Sequence, residues 1–173
     1  MVDGEMGNIF RGRKFVSYLA NGENFVPALI QVIILGIVII SITSFAIREK
    51  IMIGPSLIFS GLICLISLKA FRKDLKSAYP DIIYGFCDNS ILVISSLLGY
   101  EILGGQFGAI IGAAVGNGIS DALGGLAEGM TAKIMKKRNM LQERTAITAS
   151  VGKLAGCMFG AGLVLTLYFS LVV

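Results

Sequence analysis

Residues 26–47 read VPALIQVIILGIVIISITSFAI, twenty-two residues without a charge. A helix needs about 20 apolar residues to cross the hydrocarbon of a bilayer, within a range of about 17–25, so this run predicts a membrane span over Val26–Ile47. The same reading repeats outward from it. Ile51–Leu68 qualifies at the short end, Ile82–Leu98 and Gly104–Met130 qualify with acidic residues inside them, and Leu154–Val173 is again free of charge. Pro27, Pro55 and Pro80 fall near span starts, where a missing N–H matters least. The predicted fold class is all-α: a polytopic membrane protein of five transmembrane helices.

Composition agrees. Of 173 residues 55% are hydrophobic and 15% charged, and the charges gather between the apolar runs, where water is available. The net charge of +4 does not point to nucleic acid, because the basic residues sit in short loops flanking the spans. They report topology instead. With the N-terminus inside, thirteen of the fifteen Lys and Arg residues fall on the cytoplasmic side, and Arg48 and Lys50 alone fall outside. The N-terminus is expected in the cytoplasm and the C-terminus outside. The connection Arg48-Glu49-Lys50 is short enough for a tight helical hairpin; a merger of the first two spans into one re-entrant unit is the alternative. Three regions follow: an N-terminal cytoplasmic or interfacial segment (1–25), a hairpin of two spans (26–71) and a three-helix core (80–173). Within the first, Ile9–Val16 mixes aromatic and basic residues, which fits either a membrane-surface helix or a solvated tail.

No secretory signal pattern opens the chain, and Asp3, Glu5 and Glu23 argue against a transit peptide, so the expected location is a cell (inner) membrane. Cys64, Cys87 and Cys157 are far apart, with no His to complete a soft-metal site, and read as small membrane-core residues. Hard cations with oxygen ligands remain as metal candidates. The absence of His and of any nucleophile–base arrangement makes an enzyme the least expected class, and no cofactor is expected.

The informative residues are the acids inside the spans. A carboxylate at the bilayer centre costs about 2.5–3.5 kcal/mol on insertion scales, so Asp88 and Asp121 need a reason to be there. Each has an amide nearby, Asn89 next to Asp88 and Asn117 four residues before Asp121. On a helix, Asp121 lies about 40° and Glu128 about 20° from Asn117, so the three share one face. That face borders a row of small residues, Gly104, Gly108, Gly112, Gly116, Ser120 and Gly124, which predicts Gly-rich helix packing. On antiparallel helices Asp88 and Asn89 come to the depth of Asn117 and Asp121. Ser95, Ser96 and Ser120 are further oxygen donors, and Gly118, Gly124 and Gly125 suggest local unwinding that would add carbonyls. Lys153 is expected at the inner mouth of the last span, too far away to neutralise the aspartates. Plainer readings stand beside this one. The amides serve as interhelical hydrogen-bond glue, Glu128 pairs with Lys153, or protonated carboxyls bond one another.

Gly85-Phe86-Cys87-Asp88-Asn89 resembles the Gly-Phe-x-Asp-Asn signature of the transmembrane protein 65 family. Gly116-Asn117-Gly118-Ile119-Ser120-Asp121 is similar to that family's Gly-Asn-x-x-Ser-Asp motif, and Val151–Cys157 to its last-helix Gly-Lys segment. The resemblance covers about residues 82–170. It implies a cation transporter, a Na⁺/Ca²⁺ exchanger acting as a homodimer, with Asp88, Asn89, Asn117, Ser120 and Asp121 as ligands. Glu128 joins them on the helical-face argument, as a relay or entry ligand. The chain departs from the family's mitochondrial member in having two N-terminal spans where that member has a long targeting and soluble region, which leaves the ion open. The alternatives are a passive channel for Mg²⁺ or Ca²⁺ and a non-transporting regulatory or scaffold subunit. Partners expected on every reading are membrane lipid and no nucleic acid.

Overall fold

Two of the helices start at side-chain caps rather than at the edges of their apolar runs. The computed structural model describes residues 25–49, 52–137 and 145–172. The N-terminal segment with Ile9–Val16, residues 50 and 51, and the loop holding Arg138 and Arg144 lie outside the described residues. Five helices follow in order: α1 Phe25–Arg48, α2 Ile53–Ala70, α3 Leu75–Leu103, α4 Gly105–Lys137 and α5 Ala146–Val172. All five are long and apolar enough to cross a membrane, the make-up of a multi-pass membrane protein, and the described residues contain no strand.

Three helices run further than their apolar stretches. α3 begins seven residues before Ile82 because Asp74 caps it, its carboxylate accepting the Lys76 N–H at 2.9 Å. Pro80 therefore lies inside the helix, in its second turn. α4 continues to Lys137, past Met130, and α5 starts eight residues before Leu154. There Thr145 and Thr148 cap reciprocally: the Thr145 N–H donates to the Thr148 hydroxyl at 2.9 Å, and the Thr148 N–H to the Thr145 hydroxyl at 3.3 Å. Hydropathy measures the hydrocarbon, whereas a helix continues into water until something satisfies its end.

The turns are tight. α2 closes with the Lys73 N–H on the Leu68 carbonyl and the Arg72 N–H on Lys69, the Schellman pattern, with Arg72 left-handed at φ 53° where glycine is usual. Gly104 and Gly105, at φ 83° and 62°, turn α3 directly into α4. α3 is the central helix, packed antiparallel on α4 and parallel to α5. α2 lies antiparallel on α5 and packs there more extensively than on α1, which touches α2 and α5 at the periphery. The apolar core runs between α1, α2, α3 and α5, around Leu35, Cys64, Leu68, Val151 and Ala155. α4 contributes nothing to that cluster; it is held chiefly through α3.

Candidate site between two antiparallel helices

The row of small residues on α4 passes along α3 and changes partner as it goes. Near the Gly104 turn, a Cβ on Gly108 would overlap the Gly99 carbonyl oxygen, and one on Gly112 the Ser95 carbonyl oxygen. Ser96 adds a cross-link, its hydroxyl donating to the Ala109 carbonyl at 3.2 Å. The next small residue toward the Asp74 end after Gly116 is Ser120, fully buried, whose hydroxyl donates to the Asp88 carboxylate. The same hydroxyl lies 3.0 Å from the Asn117 carbonyl oxygen. One turn further, Gly124 leaves room for the ring of Tyr84, 3.2 Å from where a Cβ would stand. Tyr84 donates its hydroxyl to Asp121 at 2.6 Å, and the Asn117 amide donates to the other Asp121 oxygen at 3.4 Å.

Asp88, Ser120, Asn117, Asp121 and Tyr84 thus form one hydrogen-bonded chain across the α3–α4 interface. Its position is central: Asp88 is the fourteenth of 29 residues in α3 and Asp121 the seventeenth of 33 in α4. Glu128 lies two turns from Asp121 toward the Asp74 end, with Lys153 of α5 at 3.7 Å. The Lys153 ammonium also sits 4.0 Å above the centre of the Tyr84 ring, a cation–π contact.

Of the six residues read from sequence as ligands, the structure joins Asp88, Asn117, Ser120 and Asp121 in this chain. Glu128 is connected to it through Lys153 and Tyr84. Asn89 turns to α5 instead, donating to the Cys157 carbonyl at 3.2 Å. Ser95 and Ser96 lie about 10 Å further along α3, by helical rise, within the glycine-lined contact. No unwinding supplies carbonyls, since α4 is a continuous helix through Gly118, Gly124 and Gly125. Lys153 is not at a helix mouth. Because α5 begins at Ala146, Lys153 lies two turns inside it and level with Gly85, against which its carbonyl packs.

Sequence reasoning missed two residues. Tyr84 precedes Asp88 by one turn on nearly the same face, a spacing that could have paired them, but a tyrosine in an apolar run reads first as lipid-facing. Asp81 was placed just outside its span; it is fully buried in α3, two turns before Asp88, beside Gly152 of α5. Two columns of acids result, Asp81 and Asp88 on α3, Glu128 and Asp121 on α4, each with a seven-residue step.

The oxygens at its centre are two carboxylates, the Asn117 carbonyl, and the Ser120 and Tyr84 hydroxyls, with the Asn117 amide N–H turned to Asp121. Such a set suits hard cations. Among the described residues no three His, Cys, Asp or Glu side chains converge to hold a metal ion, so the carboxylate count at any one point is at most two. Asn117 and Asp121 lie on an exposed face of α4, where Gly118, Gly125 and Gly129 have nothing within 4 Å of a would-be Cβ. No family model, curated protein or solved structure matches the chain.

Proposed function

We propose that the protein is a membrane cation transporter that exchanges Na⁺ and Ca²⁺ at the Asp88–Asp121 site. The observation that carries this reading is the chain of hydrogen bonds holding two mid-helix carboxylates across one interface. Two carboxylates at that depth are too costly to serve as packing, and Lys153 pairs with Glu128 rather than with either of them. Two negative charges offset one Ca²⁺, and the Asn117, Ser120 and Tyr84 oxygens extend the set toward the roughly 6–8 ligands that ion takes. Na⁺ competes for the same carboxylates, which is what exchange requires. The resemblance of Gly85–Asn89 and Gly116–Asp121 to the transmembrane protein 65 family supports the same pair of ions.

The distribution of Lys and Arg puts the Asp74 end of the bundle in the cytoplasm and the Gly104 turn outside. The acid columns then lead from the cytoplasmic side to the middle of the membrane. A homodimer completes the reading. The uncovered face of α4 carries Gly118, Gly125 and Gly129 beside Asp121, and a charged residue cannot be left against lipid tails. A second copy packed on that face covers both, with the two Asp121 positions near the symmetry axis.

The test is flux in liposomes containing the purified protein alone. A Na⁺ gradient is expected to drive Ca²⁺ uptake against its own gradient, and Asp121→Asn to abolish it. Dissipation of gradients without uphill movement would assign a channel. No flux with any of Na⁺, Ca²⁺, Mg²⁺ or H⁺ would overturn transport altogether.

A further inference from the structure

We infer that Lys153 is a tethered competitor for the transported cation, an ammonium that holds the positive charge of the site when no metal ion occupies it. The inference rests on the reading of Asp88 and Asp121 as a cation site, and it assigns a regulatory part to a residue of a different helix.

The backbone around Lys153 is fixed. Gly85 of α3 has no room for a Cβ against the Lys153 carbonyl, and a Cβ on Gly152 would stand 3.1 Å from the side chains of Ala78 and Asp81. α5 packs against α3 there at backbone contact, so the long side chain is the part freest to move. Its ammonium crosses in front of α3 to reach Glu128 of α4 at 3.7 Å and lies 4.0 Å above the Tyr84 ring. The hydroxyl of that ring is the donor to Asp121. One aromatic face therefore lies between the ammonium and the mid-helix carboxylate, and that face attracts a cation.

Lys153 is also open on its outer side. A cleft of about 460 Å³ opens between the starts of α1 and α5, lined by Phe25, Ala28, Leu29, Val32, Ser150 and Lys153. The Lys153 side chain is 41% exposed, against 19% for Glu128. Its ammonium is held over Tyr84 beside Glu128, and the exposed side of the residue leaves the way outward open.

Two carboxylates held across one helix interface without a cation repel one another. An ammonium drawn inward over Tyr84 offsets that repulsion, and an arriving Ca²⁺ drives it outward. Lys153 thereby weakens cation binding and speeds release, which keeps the site from becoming a trap.

Ca²⁺ titration of purified protein in detergent, by calorimetry, tests this. Lys153→Met and Lys153→Gln are expected to bind Ca²⁺ at least tenfold more tightly than wild type, since removing a unit charge about 10 Å from a divalent ion at an effective dielectric near 20 is worth on the order of a hundredfold. Their exchange rate in liposomes is expected to fall, because release slows. Lys153→Arg, which keeps the charge, is expected to stay nearer to wild type than to Lys153→Met. The glutamine variant covers the case in which methionine misfolds. Ca²⁺ affinity unchanged or weakened in both neutral variants, with wild type binding normally, overturns the competitor role and leaves the transport reading standing. If wild type itself binds neither Ca²⁺ nor Na⁺, both fall together.

Discussion

Near the Gly104 turn α3 and α4 touch backbone to backbone; near their middle the same two helices meet through polar side chains. One row of small residues on α4 serves both regions. Gly108 and Gly112 face the carbonyls of Gly99 and Ser95, whereas Ser120 faces the Asp88 carboxylate and Gly124 the Tyr84 ring. The step between regions is small in sequence and large in chemistry. Where both helices offer glycine or a main-chain surface, the gap closes and nothing fits in it. Where α3 offers Tyr84 and Asp88, the same kind of row becomes the wall of a polar chain. A stripe of glycines therefore does not mark the site; it marks the axis along which α3 decides what the interface holds.

The largest expected effect breaks the closed region. Gly112→Val puts a branched side chain against the Ser95 carbonyl and the Gly99 Cα, backbone atoms that cannot yield. Overpacking of this kind costs roughly 3 kcal/mol or more, and the purified variant is expected to lose its monodisperse gel-filtration peak and unfold at much lower temperature. Gly124→Ala in the open region meets the Tyr84 ring and the Tyr84 carbonyl oxygen at 3.2–3.3 Å, contacts about 1 Å looser than the closest one at Gly112 and relieved by a few tenths of an ångström. About 1 kcal/mol is expected there. Equal losses from Gly112→Ala and Gly124→Ala would erase the distinction between the regions.

Tyr84→Phe comes next. It keeps the ring beneath Lys153 and removes the donor to Asp121. Stability is expected to change by about 1 kcal/mol, and Na⁺-driven Ca²⁺ flux to fall severalfold because one Asp121 oxygen loses its positioning partner. Unchanged flux would make Tyr84 a packing residue. The smallest effect belongs to Ser96→Ala, which deletes one hydroxyl from the closed region. An interhelical bond of this type is worth about 0.6 kcal/mol in a membrane, and flux is expected to stay at the wild-type level.

Apolar run length made the five helices legible in sequence, and helical angles put Asn117, Asp121 and Glu128 on one face. The ends of α3, α4 and α5 were not legible, because Lys76, Ser77, Lys133 and Thr148 look like loop to a hydropathy reading yet continue helices outside the hydrocarbon. For the same reason Lys153, read at the start of the last helix, lies two turns inside α5. Depth brought Asp88 level with Asn117 and Asp121, but Ser120 on Asp88, Tyr84 on Asp121 and Asn89 on α5 depend on how three helices rotate about one another. Rotation is set by which glycine meets which carbonyl, and a single chain's periodicity does not state it. Glu128 was read two ways, as a relay and as the partner of Lys153; the ion pair at 3.7 Å realises the second and leaves the first open to flux measurement.

The central claim is that the polar region binds a cation between Asp88 and Asp121. Calorimetric titration of Ca²⁺ into purified wild type, Asp88→Asn and Asp121→Asn, each first shown to unfold within a few degrees of the others, tests it most directly. The account predicts saturable binding by wild type and loss of at least tenfold in affinity for each single variant, since two opposed charges become one. Wild-type affinity in both variants would contradict it.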